Sequence, residues 1–371
     1  MYTSRRKFLK DFSMMGAATF SMPFVLPNPI SAVKLNVLVL GGTNFLGPAI
    51  VNSLVDKGHN VTLFNRGITN PDLFPKLYKI RGDRKKGISG YQNLKNGKEI
   101  WDVVIDVWPQ NPNFVQNAIT VLQNRTKHYV FVSSIAVYAN YGPIGLDENT
   151  ARRKGNSYEE GNYNLNKVLC EKAVEEAFPG QFTIVRPGAI VGDRDSGPFG
   201  RYLLNRIKNR KEILAPDSND PVQLIDAQDI GTFIASCLEK KVGGHFNLVG
   251  PASAMGYKDM LIQAKKALKS KVRILWMDPK FLVEEVKLEP FMEIPFWIPV
   301  AFDPEPGFYQ ISSKKAIEDG LVFTDYDETV KTSYLSFKEK RFIEEEGYDV
   351  VFGISEEREN NIIERWKEKT K

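Results

Sequence analysis

The chain has 371 residues, of which 42% are hydrophobic and 26% are charged, as in ordinary globular proteins. This length predicts about two domains and a large buried core. The formal net charge is +5, but outside the basic first 32 residues 46 basic residues face 44 acidic ones. That near balance argues against a nucleic-acid-binding protein, which usually carries a strong positive charge.

The first 32 residues have the composition of an export signal. A basic stretch, Arg5-Arg6-Lys7, precedes a modest apolar region from Phe12 to Leu26, and a small-residue cleavage site ends at Ala32. The paired arginines are similar to a twin-arginine signal, which exports folded proteins, and predict a periplasmic or extracellular location. The apolar region is too short for a stable membrane anchor. The alternative is a disordered segment with two chance arginines.

Taken in chain order, alternating apolar strands and helical patterns predict an α/β fold. We expect a Rossmann-type, doubly wound parallel sheet with helices on both faces and a smaller, interleaved C-terminal substrate-binding domain. The predicted strands are Leu35–Leu40, Val61–Phe64, Leu77–Arg81, Val103–Asp106, Tyr129–Ser133, Thr183–Arg186, Val222–Ile225 and His245–Val249.

The domain boundaries follow from where this alternation weakens. Segments 33–193 and 221–250 are predicted to form the sheet domain, and segments 194–220 and 251–337 to form the cap. An apolar, proline-broken segment within the cap, Phe291–Pro299, is expected to form an irregular wall. The alternating charges of 338–371 predict a solvated helical tail.

A glycine-rich loop follows the first strand and opens the first helix. Gly41 can supply the sharp turn, Gly42 a close backbone approach, and Gly47 tight helix packing. Thr43, Asn44, Phe45 and Leu46 complete the loop, with Asn44 where a middle glycine is often found. This context predicts a pyrophosphate site at the helix N-terminus and makes the sheet domain NAD(P)-binding. The alternative is a tight turn that binds nothing.

The ends of the next two strands bear on the choice of cofactor. Asn65 and Arg66 follow the second strand, where an acid would favour NAD and an arginine accommodates the 2′-phosphate of NADP. We therefore predict NADP, with NAD as the second choice, unless Arg66 is only a solvated loop residue. Asp83, after the third strand, is placed to contact the adenine.

A candidate catalytic group lies further along the chain. Tyr163 and Lys167 are four residues apart and share a helix face, so the ammonium can favour the phenolate. A tyrosine tuned in this way can exchange a proton with an alcohol or carbonyl. Ser134, at the carboxyl end of a strand, can hold the same oxygen, although the neighbouring Ser133 is an alternative.

Cysteine and histidine patterns predict neither a disulfide nor a metal site. Cys170 and Cys237 fall in apolar helical patterns, which favours two buried thiols. His59, His128 and His245 lie at strand edges without ligand spacing.

These motifs together resemble the extended short-chain dehydrogenase/reductases, and within them the NAD-dependent epimerase/dehydratase family, in the branch with GGTxFxG and FNRG motifs. The resemblance runs from about Leu35 to Ser336 and includes Ser133–Tyr138, Val185–Gly188, Val222–Asp226 and Phe246–Pro251. It implies that Ser134, Tyr163 and Lys167 carry catalysis and that Lys167 also binds the nicotinamide ribose. It also implies that Pro187 and Gly188 lie beside the nicotinamide.

The expected function is hydride transfer on a sugar-like or polyol substrate. Export favours redox-neutral chemistry with a retained cofactor, because free NADP(H) is scarce outside the inner membrane. The alternatives are an NADPH-dependent carbonyl reductase and a non-catalytic dinucleotide- or RNA-binding relative. The RNA alternative depends on the basic clusters 84–86, 152–154 and 206–211, although no nucleic acid is expected. A homodimer through the helix of Tyr163 is common in the family, and the oligomeric state stays open.

Overall fold

The computed structural model describes residues 33–107, 110–251, 255–342 and 352–371. The predicted export signal at 1–32 and its cleavage site lie outside these residues. Within the described part of the chain, no helix combines the length and the apolarity needed to cross a bilayer. Residues 34–371 form one compact unit.

A seven-stranded, fully parallel sheet in the order β11-β6-β5-β4-β1-β2-β3 organises the described residues. Small two-stranded sheets flank it. The strands are β1 Asn36–Leu40, β2 Asn60–Asn65, β3 Tyr78–Arg81, β4 Trp101–Asp106, β5 Thr126–Val132, β6 Phe182–Pro187, β7 Ala189–Val191, β8 Glu212–Pro216, β9 Pro221–Val222, β10 Leu224–Asp226, β11 Gly244–Leu248, β12 Met255–Gly256 and β13 Arg273–Met277.

Helices cover both faces of this sheet, as predicted. They are α1 Leu46–Asp56, α2 Gln92–Asn96, α3 Pro112–Leu122, α4 Tyr163–Ala177, α5 Asn205–Asn209, α6 Ala227–Lys240, α7 Tyr257–Ala267, α8 Lys314–Glu318, α9 Tyr326–Lys338 and α10 Glu356–Lys369. Short 3₁₀ or π segments span Arg84–Tyr91, Gln123–Arg125, Ile135–Val137, Phe199–Leu204 and Phe281–Glu285.

Strand β1 explains why a continuous apolar run belongs at the centre of the sheet. Val37 and Val39 point into the core beneath α1 and α6, whereas Leu38 and Leu40 point into the core beneath α3 and α4. All four side chains are fully buried, as expected for a central strand covered on both faces.

The cap builds a hydrophobic core of its own. It draws on Phe199–Ile207 and on the region from Met255 to Trp297, which lie in the predicted cap segments. Trp297 is completely buried there, and its Nε1 donates to Asp220 Oδ2 at 2.9 Å. This end of the predicted wall is therefore part of the cap core.

One predicted strand does not join the main sheet. The prediction for Val222–Ile225 is wrong, because β9 pairs with β12 and β10 pairs with β7 in small separate sheets. The position beside β6 is taken by β11, which contains the correctly predicted segment from His245.

The carboxyl-terminal tail is helical over α10, but the prediction that it is simply solvated is wrong. Ile362 and Ile363 are buried in the cap core. Glu359 is also buried; it accepts a hydrogen bond from Leu214 N at 2.9 Å and pairs with Arg206. The alternating charges hid an apolar stripe that the cap covers.

Candidate active site

The glycine-rich loop connects β1 to α1 at the carboxyl edge of the sheet. Gly41 and Gly42 have φ angles of 118° and 92°, a region that residues with a Cβ rarely adopt. A Cβ at Gly47 would lie 2.6 Å from the Cα of Gly42, so this position also requires glycine. The left-handed conformations fall on Gly41 and Gly42 and not on Asn44, so the asparagine is compatible with the turn.

This loop has the shape that a pyrophosphate needs. The close approach of Gly47 to Gly42 brings the first turn of α1 against the loop, where the positive end of the helix dipole favours an anion. The carbonyl of Thr43 accepts a hydrogen bond from Asn70 Nδ2 at 2.8 Å, which ties the loop to the segment after β2. A Cβ at Gly42 would meet Leu63, Val51 and Val39 in the core, so this glycine lets the loop lie close to the sheet.

Asn65 is the hub at the end of β2. Its Nδ2 donates to the Gly41 carbonyl at 3.3 Å, and its Oδ1 accepts from Gly67 N at 2.9 Å and from Arg81 Nη1 at 3.2 Å. Arg66 is exposed beside it. Sequence reasoning missed Arg81; its signal was a basic residue at the end of the strand next to β2.

Asp83 has a clear structural task in this fold. Its carboxylate caps the following 3₁₀ segment by accepting from Lys85 N at 3.0 Å. It is half-buried at the carboxyl edge of the sheet. Its predicted contact with adenine stays a prediction.

Ser134 lies directly after β5 and is almost completely buried. Its Oγ accepts from Ala136 N at 3.1 Å, so its own hydroxyl hydrogen can be donated elsewhere. Ser133 has a different environment: it is fully buried, and it helps to lower the pKa of Glu171. The two neighbouring serines thus have different surroundings, and Ser133 belongs to the interior.

Tyr163 and Lys167 occupy the first turns of α4. Asn162 caps this helix by accepting from Leu165 N at 3.1 Å. Lys167 is fully buried, and its Nζ donates to the Val132 carbonyl at 2.8 Å. The same Nζ lies 5.8 Å from the centre of the Tyr163 ring. The predicted pair is therefore held together at the end of β5, beside Ser134.

Burial lowers the pKa of Lys167 to about 8, although nearby groups, Asp106 among them, act in the opposite direction. Asp106 is fully buried at the end of β4. Its Oδ1 lies 2.6 Å from Arg84 Nη2, and its Oδ2 accepts a hydrogen bond from the Tyr129 hydroxyl at 2.7 Å. Arg84 Nη2 also donates to the Leu40 carbonyl at 3.3 Å, directly before the glycine-rich loop. This buried cluster connects the glycine-rich loop with the surroundings of Lys167. No sequence motif predicted it.

A second buried network anchors α4, one turn after Lys167. Glu171 is bonded to Arg186 through both carboxylate oxygens, at 2.9 and 2.8 Å, and to Arg152 at 2.8 Å. These arginines hold the pKa of Glu171 below its ordinary value against the opposing effect of burial. The network fixes the rotation of α4 and with it the direction of Tyr163 and Lys167.

Glu171, Glu175 and His245 bring their ligand atoms within 4.8 Å of one another. Arg152 bonds to both carboxylates, and His245 Nε2 lies 2.8 Å from Glu175. The cluster is therefore an ion-pair network and not a preformed cation site. Cys170 and Cys237 are buried free thiols, as predicted, and burial raises the pKa of each to about 12.

Pro187 and Gly188 lie at the end of β6, on the same carboxyl edge of the sheet as Ser134. Gly188 N donates to the Leu248 carbonyl at 3.0 Å, and a Cβ at Gly188 would lie 2.9 Å from Val249 Cγ1. The backbone here is held close to β11. The predicted loop, Ser134, Pro187 and Gly188 thus lie at the carboxyl ends of parallel strands, where open α/β sheets bind ligands, and helix α4 brings Lys167 to the same edge.

A separate cavity of about 420 Å³ borders the outer side of α1. It is lined by Phe45 from the loop, by Phe74 and by Asp226 at the start of α6, together with residues of α9. Ser134, Tyr163 and Lys167 do not line it.

The fold and these strand-end residues define a Rossmann-type α/β protein. Residues 100–249 match the model of the NAD dependent epimerase/dehydratase family. Among solved structures, UDP-glucose-4-epimerase from Stenotrophomonas maltophila, with bound NAD and formylated UDP-arabinopyranose, has a TM-score of 0.62 at 13% identity, covering 83% of this chain and 99% of that one. At this identity, the likeness establishes the fold.

Two curated proteins match a part of the sequence. The chain is 28% identical over 233 residues to the chloroplast stem-loop binding protein of 41 kDa b from Arabidopsis thaliana, covering 58% of each protein. It is 23% identical over 256 residues to N-acetyl-alpha-D-glucosaminyl-diphospho-ditrans,octacis-undecaprenol 4-epimerase from Escherichia coli O157:H7, covering 64% of this chain and 73% of that protein. The family model and these two relatives each match only a part of the chain.

Proposed function

We propose that this protein is an NAD(P)-dependent oxidoreductase of the epimerase/dehydratase type that acts on a sugar-like or polyol substrate. The observation that carries the proposal is the position of Lys167. Its ammonium is fully buried, close to the Tyr163 ring and bonded to the carbonyl of Val132, two residues before Ser134. A buried lysine is costly, and a catalytic role accounts for it.

In this proposal, residues 41–47 hold the pyrophosphate of the cofactor, and Lys167 also holds the nicotinamide ribose. The bound nicotinamide supplies the hydride acceptor and donor. The Lys167 ammonium stabilises the Tyr163 phenolate, which would take the proton of the substrate hydroxyl as that carbon is oxidised and return it to the carbonyl oxygen on reduction. Ser134 donates its hydroxyl hydrogen to the same substrate oxygen, because its lone pair already accepts from Ala136 N.

A redox-neutral reaction with retained NADP is the form of this function that we favour. Two features favour it: the basic end of β2, and the predicted export signal, since an exported enzyme would gain from regenerating its own cofactor within each turnover. The proposed location is periplasmic or extracellular, after cleavage following Ala32. The substrate is a small sugar-like molecule, and the homodimer through α4 is part of the same proposal.

The basic clusters supply little support for an RNA-binding function. Arg84 is paired with buried Asp106, Arg152 with Glu171 and Glu175, and Arg206 with Glu359. Each of these arginines therefore serves an internal ion pair and does not extend a phosphate-binding surface. The carbonyl-reductase alternative is favoured by the same arginine at 66 that favours NADP, and it predicts stoichiometric consumption of NADPH.

The decisive experiment starts with mature protein purified without added nucleotide. Denaturation followed by mass analysis should release NADP(H) or NAD(H) in stoichiometric amount.

The holoenzyme is then mixed with free sugars, glycosides and polyols while nicotinamide fluorescence is followed. We expect a transient signal with a substrate and its loss in Tyr163→Phe, whereas Tyr158→Phe, at a 43% exposed tyrosine, behaves as wild type. A protein that neither contains nor binds a dinucleotide would refute the proposal.

A further inference from the structure

The ends of β2 and β3 place a second arginine beside the cofactor-selecting position. Asn65 and Arg81 are partners in the parallel register of these strands. The Asn65 amide divides its hydrogen bonds: Nδ2 binds the Gly41 carbonyl of the glycine-rich loop, and Oδ1 binds Arg81 Nη1 at 3.2 Å. Arg81 is therefore held next to the loop by the residue at the end of β2.

Gly67 leaves the room that this arrangement needs. A Cβ there would lie 1.5 Å from Arg81 Nη1 and 2.0 Å from Arg81 Cζ, so the guanidinium lies directly against the backbone of Gly67. Gly67 also has a φ of 74°, which favours glycine. The exposed side chain of Arg81 is thus held in a defined place at the rim beside Arg66.

We propose that Arg81 is the specificity-determining residue of this site and that Arg81 and Arg66 together bind the 2′-phosphate of NADP(H). This inference rests on the proposed function, since it needs a dinucleotide in the glycine-rich loop. In such folds an acid at the end of the second strand binds the ribose hydroxyls of NAD. Here that position is Asn65, whose neutral amide accepts a hydrogen bond from the guanidinium of Arg81. An acidic residue in its place would repel a bound phosphate.

Two further basic groups near these strand ends, Arg84 and Lys79, are engaged elsewhere. Arg84 is paired with buried Asp106, and Lys79 Nζ donates to the carbonyls of Pro71 and Leu73 at 2.9 and 2.6 Å. The Asp83 carboxylate is turned to the backbone of Lys85. Arg66 and Arg81 are both exposed, and two guanidinium groups suit the charge and the planar hydrogen bonding of a phosphate dianion.

The test measures binding of 2′,5′-ADP and 5′-AMP, and of NADPH and NADH, to nucleotide-free protein by calorimetry. Arg81→Ala should weaken 2′,5′-ADP and NADPH by about tenfold or more, the value expected for hydrogen bonds to a charged group, and change 5′-AMP and NADH by less than about twofold. Arg66→Ala should act in the same direction. Arg365→Ala, at an exposed arginine on α10, is the matched control.

Asn65→Asp provides a second, independent variant. The new carboxylate would bind Arg81 and oppose the phosphate, so preference should move from NADPH towards NADH. The inference is overturned if Arg81→Ala leaves the ratio of 2′,5′-ADP to 5′-AMP affinity unchanged. Wild-type protein that binds NADH and 5′-AMP without preferring their phosphorylated counterparts would overturn this inference and leave the proposed function standing. Failure to bind either dinucleotide would remove both.

Discussion

At the scale of single residues, the site combines groups that a motif reveals with groups that no motif reveals. Tyr163, Lys167, Gly41 and Gly47 stand in recognisable spacings. Arg81 does not, because its place beside Asn65 depends on strand register and on the absence of a side chain at Gly67. Sequence spacing can identify a helix face or a turn, whereas it cannot tell which residue lies beside another across two strands.

Lys167 gives a pH-dependent prediction for stability. Its pKa is about 8 in the folded protein against an ordinary 10.5. Below pH 8 the lysine is charged in the folded and the unfolded state, and the folded state bears the full free-energy cost of burying the ammonium. Above pH 10.5 the lysine is neutral in both states, and this cost disappears. Stability should therefore rise with pH between these values, because the unfolded state binds more protons there.

Urea unfolding of wild type and Lys167→Met at several pH values tests this. The two proteins share their other titrating groups, so their difference isolates Lys167. We expect wild type to gain about 3 kcal/mol relative to the variant across the window, since each pKa unit corresponds to roughly 1.4 kcal/mol. A difference that stays constant with pH would contradict the lowered pKa.

At the scale of elements, close contacts between helices decide how the glycine-rich loop and the cap are built. Helix α1 must approach its own loop closely, and α6 must approach α1 so closely that a Cβ at Gly231 would lie 2.5 Å from the Ala49 carbonyl. These are backbone contacts, and glycine is the residue that permits them. The helix α10 in turn contributes Ile362, Ile363 and the buried Glu359 to the cap core.

Gly47→Ala should weaken dinucleotide binding strongly. The added methyl would lie 2.6 Å from the Gly42 Cα, so the loop or the helix must shift away from the pyrophosphate position. We expect a loss of about tenfold or more in affinity for NADPH and NADH alike, since several backbone hydrogen bonds would be misplaced. Calorimetric titration measures it.

Gly58→Ala, directly beyond the other end of α1, is the control. Its Cβ would meet no atom within 4 Å, although its φ of 81° strains the backbone. It should cost roughly 1 kcal/mol of stability, as for one residue held in a left-handed conformation, and leave dinucleotide affinity unchanged. Equal losses of affinity in both glycine variants would argue against the proposed role of the loop.

Glu359→Gln tests how the last helix is attached. The variant keeps the shape of the side chain but leaves Arg206, itself largely buried, without its countercharge. We expect a loss of about 3 kcal/mol in the free energy of unfolding, as for other broken buried ion pairs. Glu364→Gln, at an exposed position on the same helix, should change stability by less than about 0.5 kcal/mol.

At the scale of the whole molecule, residues 34–371 are one compact unit although the described residues contain separate hydrophobic cores. The chain leaves the sheet after β6, enters the cap, and returns for α6 and β11 before entering the cap again. Because the chain passes between the sheet cores and the cap core several times, a single cut of the chain cannot separate the cap from the sheet domain. The domain boundaries proposed from the sequence remain a prediction.

This interleaving predicts a single unfolding transition in urea. Far-ultraviolet circular dichroism follows the sheet and helices, and tryptophan fluorescence includes Trp297, buried in the cap core. The two curves should coincide. A fluorescence transition at lower urea would mean that the cap unfolds by itself, in conflict with one cooperative unit.

The sequence by itself determined the alternating α/β architecture, the glycine-rich loop and the Tyr163–Lys167 pair, because each depends on local spacing: apolar period, turn chemistry and one helical turn. Only the tertiary structure decided that Val222–Ile225 stays out of the main sheet, that α10 is partly buried, and that Arg81 faces Asn65. It also decided the buried partners Arg84–Asp106 and Arg186–Glu171. These features depend on contacts between residues that are distant in the chain. A buried charge needs an oppositely charged partner, and the local sequence pattern does not indicate which residue that partner is.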